Sequence, residues 1–182
     1  IVGDAHQRIY GKKAILGKCG INVVGRSSKL KLNYRTTEKI RKRAVSLLMG
    51  VAVDDLDGSA DDNKGFRSLV VGVEPIEKRF KTFDKEMDGI VDTILSWQKA
   101  DGRTFSDYSV LVRRKSDIVA IRAALNERGM KSKEIKTDLT VRESEKDFVR
   151  VATMHRSKGL EFAGIVVAEI NEGIWPFRPE EY

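Results

Sequence analysis

Apolar residues recur along this chain in two rhythms. Short runs rich in β-branched residues, Val149–Met154 and Ala163–Ile170, flank the polar segment His155–Phe162 and read as buried strands joined by a loop. Tyr108–Arg113 is another such run, and Ser68–Glu74 another, closed by Pro75. Lys29–Leu32 alternates polar and apolar, as a half-buried strand would. Between these runs the apolar positions take helical spacing. Ile40, Ala44, Leu47, Leu48 and Val51 form one face, expected to be core, with Thr36 or Thr37 as N-cap and Lys39, Arg41, Lys42 and Arg43 mostly in solvent. Phe83–Ala100 carries Met87, Val91, Ile94 and Leu95, with Trp97 nearby. Ser116 is placed to cap a helix carrying Ile118, Ile121 and Leu125, which Gly129 stops. Strand and helix alternate, and that predicts an α/β fold: a parallel sheet flanked by helices.

Composition narrows the class. At 182 residues the chain can bury a sizeable core, enough for one domain with room for part of a second. No apolar run approaches the roughly 20 residues of a membrane span, and no signal peptide is visible, so a membrane partner is not expected. A single cysteine, Cys19, excludes an internal disulfide framework and fits a reducing, cytoplasmic compartment. The formal charge of +7 favours an acidic partner such as nucleic acid. The chain opens IVGD without a methionine, like the tail of a strand, and stops at EEY; we expect a fragment of a longer protein.

Candidate chemistry gathers in a few places. In open α/β sheets, ligand-facing loops lie at the carboxyl ends of strands. Thr153, His155, Ser157 and Lys158 would meet a polyanion there with backbone N–H groups, hydroxyls and a cation. Gly11–Lys18 imitates a phosphate-binding P-loop but fails it. Five residues separate Gly11 from Gly17 where the motif needs four, and Cys19 stands where the Mg²⁺-binding hydroxyl belongs. Cys19 with His6 or His155 as a nucleophile–base pair has no local support. The acidic run Asp54–Gly65 reads as a surface loop; Ala60 occupies the position where a calcium loop starting at Asp55 needs glycine. No metal-ligand set is expected in this chain.

The string Thr153-x-His155-x-Ser157-Lys158-Gly159-Leu160-Glu161-Phe162 resembles the fifth motif of superfamily 1 DNA helicases of the UvrD/Rep/PcrA type. Gly3-Asp4, Gln7, Ile9 and Tyr10 resemble their third motif, and Asn33-Tyr34-Arg35 their fourth; Asn171–Tyr182 resembles the segment after the fifth. The resemblance implies a RecA-like second motor domain, residues 27–182, lacking its own P-loop and ending before the sixth motif. Residues 1–26 would be the tail of the first motor domain. It implies catalytic roles for Gln7 and Arg35 at the ATP γ-phosphate, Tyr34 stacked on adenine, and Gly159 and Glu161 at the nucleotide, Glu161 on the ribose. It assigns Tyr10, Thr153, His155, Ser157 and Lys158 to single-stranded DNA. Lys12 and Lys13 stand where relatives place a base-stacking aromatic, and would hold phosphate instead. The cofactors implied are ATP and Mg²⁺, with the metal ligands in the first motor domain, which is also the expected partner of an otherwise monomeric protein. The short polar stretch between Gly129 and Phe148 leaves no room for the large helical subdomain that many such helicases insert. The parent would be an ATP-dependent DNA helicase, and this fragment alone inactive. The alternatives are a non-catalytic helicase-like module for nucleic-acid or protein contacts, and the motor of a helicase–nuclease.

Overall fold

The computed structural model describes residues 16–22, 28, 30–47, 66–136 and 143–172. The chain divides into two compact units, Ile1–Glu77 and Lys78–Tyr182. Gln7, Tyr10, Lys12, Lys13 and the expected domain boundary at residues 26–27 lie outside the described residues.

In the first unit a single 3-10 turn, Leu16–Cys19, precedes β1 (Leu32–Asn33), α1 (Glu38–Ser46) and β2 (Arg67–Ser68). The two strands pair in parallel, Leu32 with Arg67 and Asn33 with Ser68. Both are shorter than their apolar patterns predict. Beyond Ser68 the chain leaves the ladder, and the carbonyls of Val70 and Val71 turn to a different donor. They accept the N–H groups of Glu38 at 2.8 Å and Lys39 at 3.1 Å, the first free donors of α1. Thr37 is the N-cap, but its side chain makes no capping bond; backbone carbonyls from the neighbouring segment do that work. Gly72 lets them approach: it has φ +71°, and a Cβ there would lie 2.3 Å from Cβ of Thr37. Of the apolar face expected to be core, Ile40, Ala44 and Leu47 are exposed, while Leu48 and Val51 lie outside the described residues. The helix buries no residue, since two-residue strands cannot cover a helical face.

The second unit carries the parallel sheet. α2 (Phe83–Asp101) is capped by Thr82, whose side chain accepts from Lys85 N–H, and stops at the left-handed Gly102. β3 (Tyr108–Val112), α3 (Lys115–Glu127), β4 (Ser132–Glu134), β5 (Val149–Thr153), the one-turn α4 (Met154–Ser157) and β6 (Gly164–Val167) follow. The strand order is β4-β5-β3-β6, with every pairing parallel. β3 lies centrally and is buried along its whole length, which explains its continuous apolar run. Alternation sorts the sheet into two faces. Val110, Val112, Val149 and Val151 meet Met87, Ile90 and Ile94 of α2 and Ile118, Ile121 and Leu125 of α3. Each such aliphatic side chain taken from water contributes about 1.5–3 kcal/mol. On α2 the buried stripe uses Ile90, while Leu95 stays exposed. The opposite face, Leu111, Ala152 and Ile135, is covered by Met154, Leu160 and Phe162.

Ser116 does not cap α3. The helix begins two residues earlier than a Ser116 cap would set it, with Arg114 as N-cap, and the Arg114 guanidinium grips Asp117 through Nε at 3.0 Å and Nη2 at 2.9 Å. The N-cap side chain accepts no helix N–H; instead a charge pair spans the first turn. Gly129 does stop α3: at φ +77° it lets Met130 N–H reach back to Leu125 O at 3.0 Å. Arg128 then ties the helices together, donating from Nε to Asp88 at 2.8 Å and from Nη2 to Asp84 at 3.2 Å. β4 falls in the polar stretch where the sequence reading placed no element.

Candidate functional site

Two polar turns carry most of the candidate residues, one in each unit. The first is the link between β1 and α1. Asn33 ends the strand, and its Oδ1 accepts from Arg35 N–H at 2.9 Å and Thr36 N–H at 3.2 Å. Its Nδ2 donates to Thr36 Oγ1 at 2.5 Å. These bonds close a side-chain-mediated turn of the kind asparagine favours. Tyr34 and Arg35 project from it into solvent, the tyrosine 77% exposed. Just beyond, the Glu38 carboxylate accepts from Arg41 Nε at 3.0 Å and Nη2 at 2.5 Å, and from Ser68 N–H at 2.8 Å. The Arg41 contact, then the Ser68 N–H, hold the Glu38 carboxyl down at about 2. The same pairing raises the Arg41 guanidinium. Glu38 thus joins the helix start to β2, a role that its place in a run of charged residues conceals.

The second turn follows β5. Thr153 closes the strand and caps α4, its Oγ1 accepting from Arg156 N–H at 3.3 Å. Ser157 Oγ donates to Met154 O at 3.0 Å. Gly159 takes φ +86°, and Leu160 N–H closes on Ser157 O at 2.9 Å. Leu160 and Phe162 pack onto Leu111, Ile135 and Ala152, and the Arg150 guanidinium lies 6.0 Å from the Phe162 ring centre. The side chains therefore alternate: Lys158, Gly159 and Glu161 face solvent while Leu160 and Phe162 anchor. His155 and Ser157 are half-buried. α4 is a single turn, so its dipole adds little to anion binding. The turn also presents the exposed Lys158 ammonium and the hydroxyl of half-buried Thr153, whose lone pair holds Arg156 N–H. The Ser157 proton is already committed to the backbone.

Geometry adds two cations that sequence reading passed over. Val112 and Thr153 are partners in the β3–β5 register, so Arg113 emerges at the same carboxyl rim as Thr153. Arg156 is exposed within α4 itself. The signal for Arg113 was there, a buried strand ending in two arginines, but its neighbours are set by register and not by sequence distance. At the end of β6, Ala168 N–H still bonds Leu111 O, and Glu169 turns at φ +59° with its N–H on Glu86 Oε1 at 2.9 Å. Burial, then the charges of Glu86 and Asp117, push the Glu169 carboxyl up.

An open cavity of about 510 Å³ lies between α2 and the residues leading into β3, β4 and β5, lined by Val91, Leu95, Phe105, Lys131 and Asp147. It is at the amino ends of the strands, opposite the turn after β5.

Tyr34 offers a solvent-facing aromatic plane, Arg35 a forked guanidinium and Lys158 a point charge. Among the described residues no three His, Cys, Asp or Glu side chains come together to hold a metal ion. No helix among the described residues is long and apolar enough to cross a membrane. Comparison with curated proteins and with solved structures gives no match. The family model of the UvrD-like helicase C-terminal domain matches residues 28–140, which spans the Asn33–Thr36 turn, both long helices and the sheet as far as β4, and stops short of the turn after β5. That match covers more than half of the 182 residues, and the chain belongs to the UvrD-like helicase C-terminal domain family.

Proposed function

We propose that this chain is the second motor domain of an ATP-dependent DNA helicase or translocase that moves on single-stranded DNA. In this reading Tyr34 stacks on the adenine and Arg35 neutralises charge on the transferred γ-phosphoryl group, with Gln7 also at the γ-phosphate. Glu161 hydrogen-bonds the ribose, with Gly159 beside it. ATP and Mg²⁺ are the cofactors; the metal and the P-loop come from the first motor domain. Phosphoryl transfer depends on positioning and charge stabilisation. Half of the site without a P-loop lysine is therefore inactive alone.

The DNA path follows the turn after β5, where Thr153, His155, Ser157 and Lys158 meet the backbone, joined by Tyr10, Lys12 and Lys13. One observation carries the reading: Leu160 and Phe162 pin this turn to the sheet's carboxyl end while Lys158 stays in solvent. The test is titration of fluorescent single-stranded oligonucleotides with the full-length protein at several salt concentrations. Lys158→Ala should lower the slope of log affinity against log salt by about 0.7, the share of one phosphate contact. An unchanged slope would make Lys158 solvated surface and remove the turn from the DNA path. Full affinity with no ATP hydrolysis would favour a non-catalytic binding module.

A further inference from the structure

We infer that Asn33 is the positioning residue of the nucleotide-facing turn, setting the direction in which Tyr34 and Arg35 leave the fold. The inference rests on the assignment of those two residues to ATP. Asn33 is held at both ends. Its backbone belongs to the β1–β2 pair, opposite Ser68, and its carbonyl accepts from Leu69 N–H at 3.3 Å. Its side-chain amide spends both the oxygen and the nitrogen on the turn. Oδ1 takes the N–H groups of Arg35 and Thr36, and Nδ2 donates to Thr36 Oγ1. The bond to Arg35 N–H matters most, because it fixes the backbone from which the guanidinium springs. Arg35 has a long side chain, so a displacement at its root is carried to its tip. A guanidinium that must meet developing charge in one geometry loses rate when its base wanders. Tyr34, next to Arg35 in the same turn, depends on the same base.

Asn33 touches no substrate in this account, so its loss should move kinetics without moving stability much. The experiment measures ATP turnover by the full-length protein, with melting temperature alongside. Asn33→Ala should lower kcat roughly ten- to a hundredfold and raise KM for ATP, with melting temperature close to wild type. Asn33→Asp keeps both acceptor bonds and should recover most of the loss. Arg35→Ala is the companion variant that separates the two levels of argument. If Arg35→Ala is inactive while Asn33→Ala has wild-type kcat and KM, the positioning role is overturned and the ATP assignment stands. If Arg35→Ala turns over normally, the ATP assignment itself falls. Should Asn33→Ala fail to fold, Asn33→Ser, with a shorter side chain and one acceptor, carries the same comparison. A serine variant matching wild type in kcat and KM overturns the inference.

Discussion

Gly159 is the residue at which the turn after β5 can be tested most sharply. It sits at φ +86°, and a Cβ built on it meets no heavy atom within 4 Å. The glycine is therefore required by backbone conformation and not by space. An L-residue with a Cβ forced into the left-handed region costs about 1–2 kcal/mol. Alanine also narrows the unfolded ensemble, returning about 0.4–1 kcal/mol. The net loss for Gly159→Ala is about 1 kcal/mol. The strain has little chance to relax, because Thr153 caps one side of the turn and Leu160 and Phe162 are packed on the other. For a unit of this size 1 kcal/mol corresponds to a fall of roughly 4–8 °C in melting temperature. Asparagine tolerates the left-handed region, so Gly159→Asn should melt close to wild type. Far-UV circular dichroism on both variants gives the comparison, with single-stranded DNA affinity measured on the same samples. If both variants melt as wild type but lose DNA or nucleotide affinity together, the glycine is there for close approach of a ligand and the conformational argument is wrong. An asparagine variant that falls as far as alanine refutes it as well.

Two further outcomes test the packing and the electrostatics. Gly164 begins β6 with its Cβ position 2.6 Å from Trp97 Cε3 and 3.0 Å from Tyr108 Cδ1. Tyr108 is fully buried with its hydroxyl on Asp101, so Gly164→Ala should cost about 1–3 kcal/mol by overpacking, read as a lower urea midpoint that Trp97→Leu partly restores. The Glu38 carboxyl is depressed from 4.5 to about 2, so its contribution is full above pH 4.5 and is lost as pH falls from there towards 2. Glu38→Gln should flatten the pH dependence of unfolding across that window, and a slope equal to wild type would show that the Arg41 and Ser68 contacts carry no stability.

The sequence pattern was most legible where burial is two-sided. Tyr108–Val112 and Val149–Thr153 announce themselves because a strand covered on both faces has no polar alternation to confuse the reading. Gly129 was legible because only a left-handed stop explains a glycine after Leu125. The face of α1 was misread for the opposite reason. Ile40, Ala44 and Leu47 keep perfect helical spacing, but periodicity reports a face and says nothing about whether a layer covers it. Ser68–Glu74 was misread because its carbonyls serve α1 rather than a neighbouring strand, a choice made by tertiary contact. Among the candidate residues, the strings flagged Tyr34, Arg35, Lys158 and Glu161 directly. Asn33 stands in the same string, but nothing in the sequence shows that its amide closes the turn, and Glu38 was hidden because its carboxylate acts on Arg41 and on Ser68 N–H. Arg113 was hidden because register alone brings it beside Thr153.

The two turns solve one physical problem in two ways. A charged side chain useful to a ligand has to remain in water, and a side chain in water is mobile; the fixed point must come from its neighbours. After β5 that fixed point is apolar. Leu160 and Phe162 alternate with Gly159 and Glu161, so the backbone between them is clamped at each second residue and the polar positions are presented by default. After β1 the described residues of α1 bury no side chain, and the fixed point is a polar network: the Asn33 amide within the turn, and Glu38 joining the helix start to Ser68 N–H. The apolar clamp is insensitive to pH and salt, whereas the Glu38 part of the polar network is lost in acid. Acidification towards pH 2 should therefore loosen the Tyr34–Arg35 turn while leaving the Thr153–Phe162 turn packed, a difference that hydrogen exchange at Arg35 and Leu160 amides would read directly. Equal loosening at both would mean that the turn after β5 also leans on a carboxylate, and that Leu160 and Phe162 are not the clamp.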